Sequence, residues 1–198
     1  CHSDLIELVS QAGKKLDTVI LSKTRRPEEV LFVDMLLSQL ESQHGLAKKI
    51  GVECLIEDVE GLMRVEEIAS STDRTEALIF GMGDFAAAQG IQTTVIGDQS
   101  GYDADLWHYP RYRLIMAARA ANNAAIDGPF AAFKDVDGLN RDCRVARLMG
   151  MNGKWAIHPG QAETIAAHFT PSQSQVDQAR KQKTAFEEAL KQGQGAVA

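Results

Sequence analysis

The 198-residue sequence has no basic excess, no paired-cysteine motif and no long apolar run. Each gap removes a class of function. Its 21 lysines and arginines are outnumbered by 27 acidic residues, giving a formal net charge of −6. Basic pairs such as Lys14-Lys15 and Arg25-Arg26 are scattered along the chain. Binding nucleic acid needs a basic face that neutralises phosphates, so no nucleic-acid partner is expected. The three cysteines, Cys1, Cys54 and Cys143, lie far apart with no C-x-x-C spacing. They point to neither a zinc site nor a disulfide framework, and reduced thiols of a cytoplasmic protein are expected. No segment is apolar for long enough to cross a bilayer, and no secretory leader pattern opens the chain, so no membrane partner is expected. A dinucleotide fingerprint is also missing, because "GMGDFAAAQG" (81–90) misplaces its third glycine.

What remains is an ordinary globular composition, 44% hydrophobic and 24% charged, long enough to bury a core. Along it, short β-type runs alternate with helical patterns. "DTVILSK" (17–23) precedes a helix in which Pro27 suits the first position and Glu28-Glu29 suit the dipole. "VECLIE" (52–57) precedes a helix around "GLMRVEEIAS", and "EALIFG" (76–81) precedes a short helix at "FAAAQG". "PRYRLIMAARAANNA" is a long helix before "AAIDGPF" (124–130), and "LNRDCRVARLMG" is another before "KWAIHPGQ" (154–161). A last helix follows Thr170, as its cap, and Pro171.

Strand and helix in alternation, with strands apolar on both faces, predict βαβ units and a parallel sheet. Two closures fit: an open doubly wound sheet, or an eight-stranded TIM barrel. Polar residues near the strands' carboxyl ends, Lys23, Glu57, Asp84, Asp127 and His158, favour the barrel, whose active sites lie there. The expected fold is therefore an α/β (β/α)8 barrel, with residues 1–168 forming about five units and 169–198 a helical extension. A barrel runs to roughly 250 residues, so about three amino-terminal strands are expected to lie beyond this sequence, which opens on Cys1.

Glu57 and Asp84 are one βα step apart. On neighbouring strands about 4.8 Å apart, both carboxylates could reach one hard cation. Magnesium takes oxygen ligands at about 2.0–2.1 Å and commonly uses one or two carboxylates. Gly81 and Gly83 would let backbone approach a ligand, and the amides of Gly83 and Asp84 would open a helix suited to a substrate carboxylate. Plainer roles compete. Either acid could be a helix cap, Asp58 or Glu60 could be the cap or the true ligand, Asp127 could be a turn residue, and His158 a hydrogen-bonded structural histidine.

"LIEDVEGLMRVEEIASS", "GMGDFAAAQGIQTT", "AAIDGPFAAFKDVDG" and "MNGKWAIHPGQ…HFTPS" together resemble the HpcH/HpaI aldolase and citrate lyase β-subunit superfamily, the malyl-CoA and β-methylmalyl-CoA lyases above all. The resemblance implies a barrel of the phosphoenolpyruvate/pyruvate type and a Mg2+-dependent carbon–carbon lyase, with Mn2+ as an alternative ion. Its substrates would be an acyl-CoA thioester and a small 2-oxoacid such as glyoxylate. It implies Glu57 and Asp84 as metal ligands, Gly83 and Asp84 against the oxoacid, and Ile157 and His158 on the CoA side. The family's substrate-binding arginine and its lid aspartate, the proton donor lent by a neighbouring subunit, would fall outside this chain, as would basic groups for the CoA phosphates. A homo-oligomer, trimer or hexamer, is implied. A malyl-CoA thioesterase or a non-catalytic subunit of the family are the alternative readings, and the 198 residues alone are expected to be inactive. Two departures stand out: Ser22 replaces the proline usual before the lysine, and Gly97–Trp107 is shorter than usual, which bears on lid shape and acyl-chain choice.

Overall fold

A computed structural model describes residues 2–92, 104–191 and 193. Among the described residues, five strands form one parallel sheet in the order β1 (Thr18–Leu21), β2 (Gly51–Ile56), β3 (Thr75–Phe80), β4 (Ala124–Asp127) and β5 (Gly153–Lys154). Spatial order equals chain order, so the sheet has no topological switch point. A doubly wound sheet requires one. Right-handed crossovers that always step the same way put every helix on one face, which is the wall of a barrel.

The helices are α1 (His2–Ala12), α2 (Pro27–His44), α3 (Val59–Met63), α4 (Val65–Ala69), α5 (Met82–Gln89), α6 (His108–Ala120), α7 (Val136–Met149), α8 (Pro159–Phe169) and α9 (Gln173–Lys191). Their ends follow local chemistry. Glu29 turns back to accept from the amides of Arg25 and Arg26, with Pro27 in the first turn of α2. Gly45, Gly90 and Gly150 take left-handed conformations that close α2, α5 and α7.

The strands split cleanly into two faces. Val52, Cys54 and Ile56 of β2, with Leu78 and Phe80 of β3 and Ala125 of β4, join helix residues such as Val33, Leu37, Ile68 and Leu114 in the main core. The alternate residues Glu53, Leu55, Ala77 and Ile79 point to the inner side of the wall. A register shift after Val52 brings Cys54 and Ile56 opposite Leu78 and Phe80, which keeps the outer core continuous. Strand parity therefore sends Glu57 inward and Asp127 outward.

Three expectations need correction. The segment 154–161 is not a strand: pairing stops at Lys154, and Pro159 already opens α8, which the periodicity did not reveal. Thr170 closes α8 instead of capping α9, which starts at Gln173. The helix after β3 begins at Met82, so Gly83 and Asp84 lie inside its first turn. Most of Gly97–Trp107 lies outside the described residues. Cys54 and Cys143 are buried free thiols, pushed up by burial to about 12 and about 11 respectively. No helix among the described residues is long and apolar enough to cross a membrane.

Candidate metal centre at the strand tips

Glu57 directly follows β2, and its side chain stands against Gly81, just past β3. A Cβ at Gly81 would lie 2.5 Å from the Glu57 Cβ. Gly81 is thus required by the neighbouring glutamate. Its amide extends the ladder by donating to the Ile56 carbonyl at 2.9 Å, which ties the two strand tips together.

Asp58 and Glu60 are accounted for elsewhere. The Asp58 side chain accepts from the Glu60 amide at 2.9 Å as the cap of α3 and pairs with Arg25, while Glu60 pairs with Arg26. Both carboxylates are engaged in these contacts. Asp84 sits in the first turn of α5, exposed at the mouth, where a carboxylate also suits the helix dipole.

Lys23 connects the two acids. Its backbone amide donates to Glu57 Oε1 at 2.9 Å, and its Nζ lies 2.7 Å from Asp84 Oδ2. Asp84 raises the Lys23 ammonium above its ordinary range through that hydrogen bond. Burial raises the Glu57 carboxyl above its usual value; the Lys23 amide works against this, and the Asp84 charge adds to it. Two carboxylates thus lie around a residue that carries a single positive charge, leaving a local excess of negative charge. All the donors are hard oxygens, and hard oxygens with surplus negative charge suit a magnesium-sized ion. A cluster of three or more acidic, His or Cys ligands is absent among the described residues, so any ion here would complete its shell with water or substrate.

Ile157 and His158 stand apart from this centre, beyond β5 and two strand positions from β3. Their turn is held firmly. Both amides donate to Gln161 Oε1, at 2.9 and 3.2 Å, and Gln161 donates onward to the Phe130 carbonyl at 2.8 Å. His158 caps α8, its Nδ1 accepting from the Gly160 amide, and its ring stacks on Phe133 with centroids 4.8 Å apart. The Ile157 side chain is exposed.

Asp127 is neither a turn residue nor part of the mouth. It is fully buried on the outer face, where Arg111 Nε and Nη2 each donate to it at 2.9 Å and Lys154 Nζ donates at 2.7 Å. Asp142 completes the group, 3.1 Å from Arg111 and 2.6 Å from Lys154. Sequence reading assigned no role to Arg111, Asp142 or Lys154. The available signal was parity: Asp127 lies two residues from outward-facing Ala125, and a carboxylate buried there needs cations on the same face.

Comparison with known proteins bears on this geometry. Residues 2–159 match the HpcH/HpaI aldolase/citrate lyase family. The L-malyl-CoA/β-methylmalyl-CoA lyase of Cereibacter sphaeroides is 36% identical over 99% of this chain and 65% of its own length. A (3S)-malyl-CoA thioesterase of the same organism is 31% identical over 96% of this chain and 60% of its own. Among solved structures, the protein CitE of Mycobacterium tuberculosis in complex with magnesium and pyruvate is 26% identical, with a TM-score of 0.67 over 86% of this chain and 64% of that one. The chain thus spans less than two thirds of the length of each of these three relatives.

Proposed function

Because the chain belongs to the HpcH/HpaI aldolase/citrate lyase family, we propose that it carries the metal-binding wall of a magnesium-dependent carbon–carbon lyase acting on a 3-hydroxyacyl-CoA. The observation that carries this reading is Lys23, whose backbone amide donates to Glu57 and whose ammonium pairs with Asp84, so that one residue links the two acids past the ends of β2 and β3. The magnesium-and-pyruvate complex of the M. tuberculosis relative supports both the ion and a small 2-oxoacid ligand. Manganese is a second ion that the same oxygen donors would accept.

Glu57 and Asp84 would hold the ion. Bound there, it would act as a Lewis acid on the oxygens of the hydroxy- or oxoacid part. The amides of Gly83 and Asp84, unpaired within α5 because its ladder starts with Phe85 to Gly81, would receive the oxoacid carboxylate. Ile157 and His158, fixed by Gln161, would flank the CoA arm. The bond that breaks joins the carbinol carbon to the carbon next to the thioester. Its electron pair stays on the thioester fragment as an enolate, which then takes a proton, while the hydroxyl loses its proton and becomes the carbonyl of the 2-oxoacid. The reverse condensation uses the same contacts. The reading extends to a cytoplasmic homo-oligomer, where the buried thiols of Cys54 and Cys143 would stay reduced.

The thioesterase relative favours a second reading, hydrolysis of malyl-CoA on the same scaffold. Supplying the intact protein with malyl-CoA and Mg2+ separates the two. Glyoxylate and acetyl-CoA are expected, and both should vanish with Glu57→Ala or Asp84→Ala while the far-UV spectrum is kept. Free malate without glyoxylate would replace the lyase by the thioesterase.

A further inference from the structure

Lys23 bonds to both proposed ligands. Its backbone is unusual as well: φ is +53°, in the left-handed region that a residue with a side chain rarely adopts. The surroundings impose that conformation. The next residue, Thr24, is fully buried; its amide donates to the Leu55 carbonyl at 3.2 Å and its hydroxyl to the Leu21 carbonyl at 2.8 Å. The Thr24 carbonyl lies so close to Gly61 that a Cβ there would come within 2.3 Å of it. With the chain pinned after residue 23, the left-handed turn aims the Lys23 amide at Glu57 and leaves the side chain over Asp84.

The two halves of Lys23 therefore behave differently. Its amide bond to Glu57 is fixed by a packed turn. The ammonium–carboxylate contact with Asp84 is open to water, with the side chains 63% and 53% exposed. An exposed ion pair on a flexible stem separates at little cost, because water takes over both charges. A divalent ion arriving between Glu57 and Asp84 would meet this resident positive charge and repel it.

We propose that the Lys23 side chain is a displaceable counter-ion that competes with the divalent cation for Asp84 and so weakens metal binding to the substrate-free site. Its backbone amide meanwhile holds Glu57 in the orientation the ion needs. This rests on the metal-site reading above. In consequence the site fills at a higher free-cation concentration than two carboxylates alone would set.

The test is calorimetric titration of the intact protein with MgCl2 alone, with no turnover involved. Lys23→Gln removes the charge and keeps most of the length. Lys23→Gly removes it in the residue best suited to a positive φ, so at least one variant keeps the fold. Both should bind Mg2+ about three- to tenfold more tightly than the wild type. Lys23→Arg, which keeps the cation, should stay within about twofold of it. If the wild type takes up no Mg2+, the metal-site reading itself falls. If the wild type binds but the Gln and Gly variants bind equally or more weakly, the metal site stands and the counter-ion role is overturned.

Discussion

Two clusters of charge lie at the carboxyl ends of the same sheet, and they are built oppositely. At the tips of β2 and β3, Glu57 and Asp84 share Lys23, with the Lys23–Asp84 pair more than half exposed. At β4 and β5, Arg111, Lys154, Asp127 and Asp142 form a quartet of two cations and two anions, with Arg111, Lys154 and Asp127 at most 2% exposed. The first cluster has surplus negative charge and one bond that water can replace. The second pairs its two cations closely with two carboxylates, with Asp105 a further 3.9 Å from Arg111, and Lys154 also binds the Gly128 carbonyl at 2.6 Å. An unbalanced, wet group can exchange a partner for a ligand. A balanced, dry group resists change, and here it anchors the loop that follows β4. Position at a strand end does not separate these roles; the face of the sheet does.

The sharpest way to break this contrast is to unbalance the quartet. Asp127→Asn leaves Arg111 and Lys154 with Asp142 as their one close anion and Asp105 3.9 Å from Arg111, and losing one partner of a buried pair typically costs about 3–5 kcal/mol. Urea unfolding should register that loss. Adding Lys154→Met to the same chain should recover a large part of it, since removing both members of a buried pair is far cheaper than removing one. A double variant no more stable than Asp127→Asn would show that the charges are not coupled as the distances imply.

Acid should distinguish the clusters next. Burial alone would raise the Asp142 carboxyl, but Lys154 and Arg111 outweigh it and hold it below its ordinary value of 3.8. A carboxyl lowered in the folded state stabilises the fold above its unfolded value, and that contribution is lost as pH falls through the folded one. Stability curves measured below about pH 4 should therefore flatten in Asp142→Asn relative to the wild type. Equal acid sensitivity of the two proteins would remove Asp142 from the account.

Much of this was legible in the residues. The alternation of β-type runs and helices specifies the parallel sheet, and the apolar strands specify that it is covered by helices. The spacing of Glu57 and Asp84, one βα step, matches their places after neighbouring strands, where both bond to Lys23. Three features were hidden. The helix α8 follows β5 after a short turn, and Pro159 reads equally well as the end of an extended segment. The quartet draws Arg111 and Asp142 from two separate helices, and no local pattern announces which helical cation meets which strand acid. The left-handed turn at Lys23 depends on Thr24 being locked from both sides, a tertiary effect with no glycine or asparagine to mark it.

The smallest expected effect runs in the opposite direction from the others. Burial and the Asp84 charge raise the Glu57 carboxyl, so its ionised form costs the metal-free fold some stability. A carboxyl raised in the folded state contributes stability below its unfolded value and loses it as pH rises through the folded one, so the charge counts against the fold at the higher pH. Glu57→Gln keeps an oxygen for the Lys23 amide and removes the charge. The variant should stabilise the metal-free protein at pH 7 by about 0.5–1 kcal/mol while forfeiting Mg2+ binding, the trade between stability and function that ligand-binding residues commonly show. The same substitution at pH 4 should gain less, because Glu57 is then largely protonated already. Thermal melts in EDTA at the two pH values measure both gains. A Glu57→Gln protein less stable than the wild type at pH 7 would mean that Lys23 already balances the pair, and the site would then have no surplus charge to offer a cation.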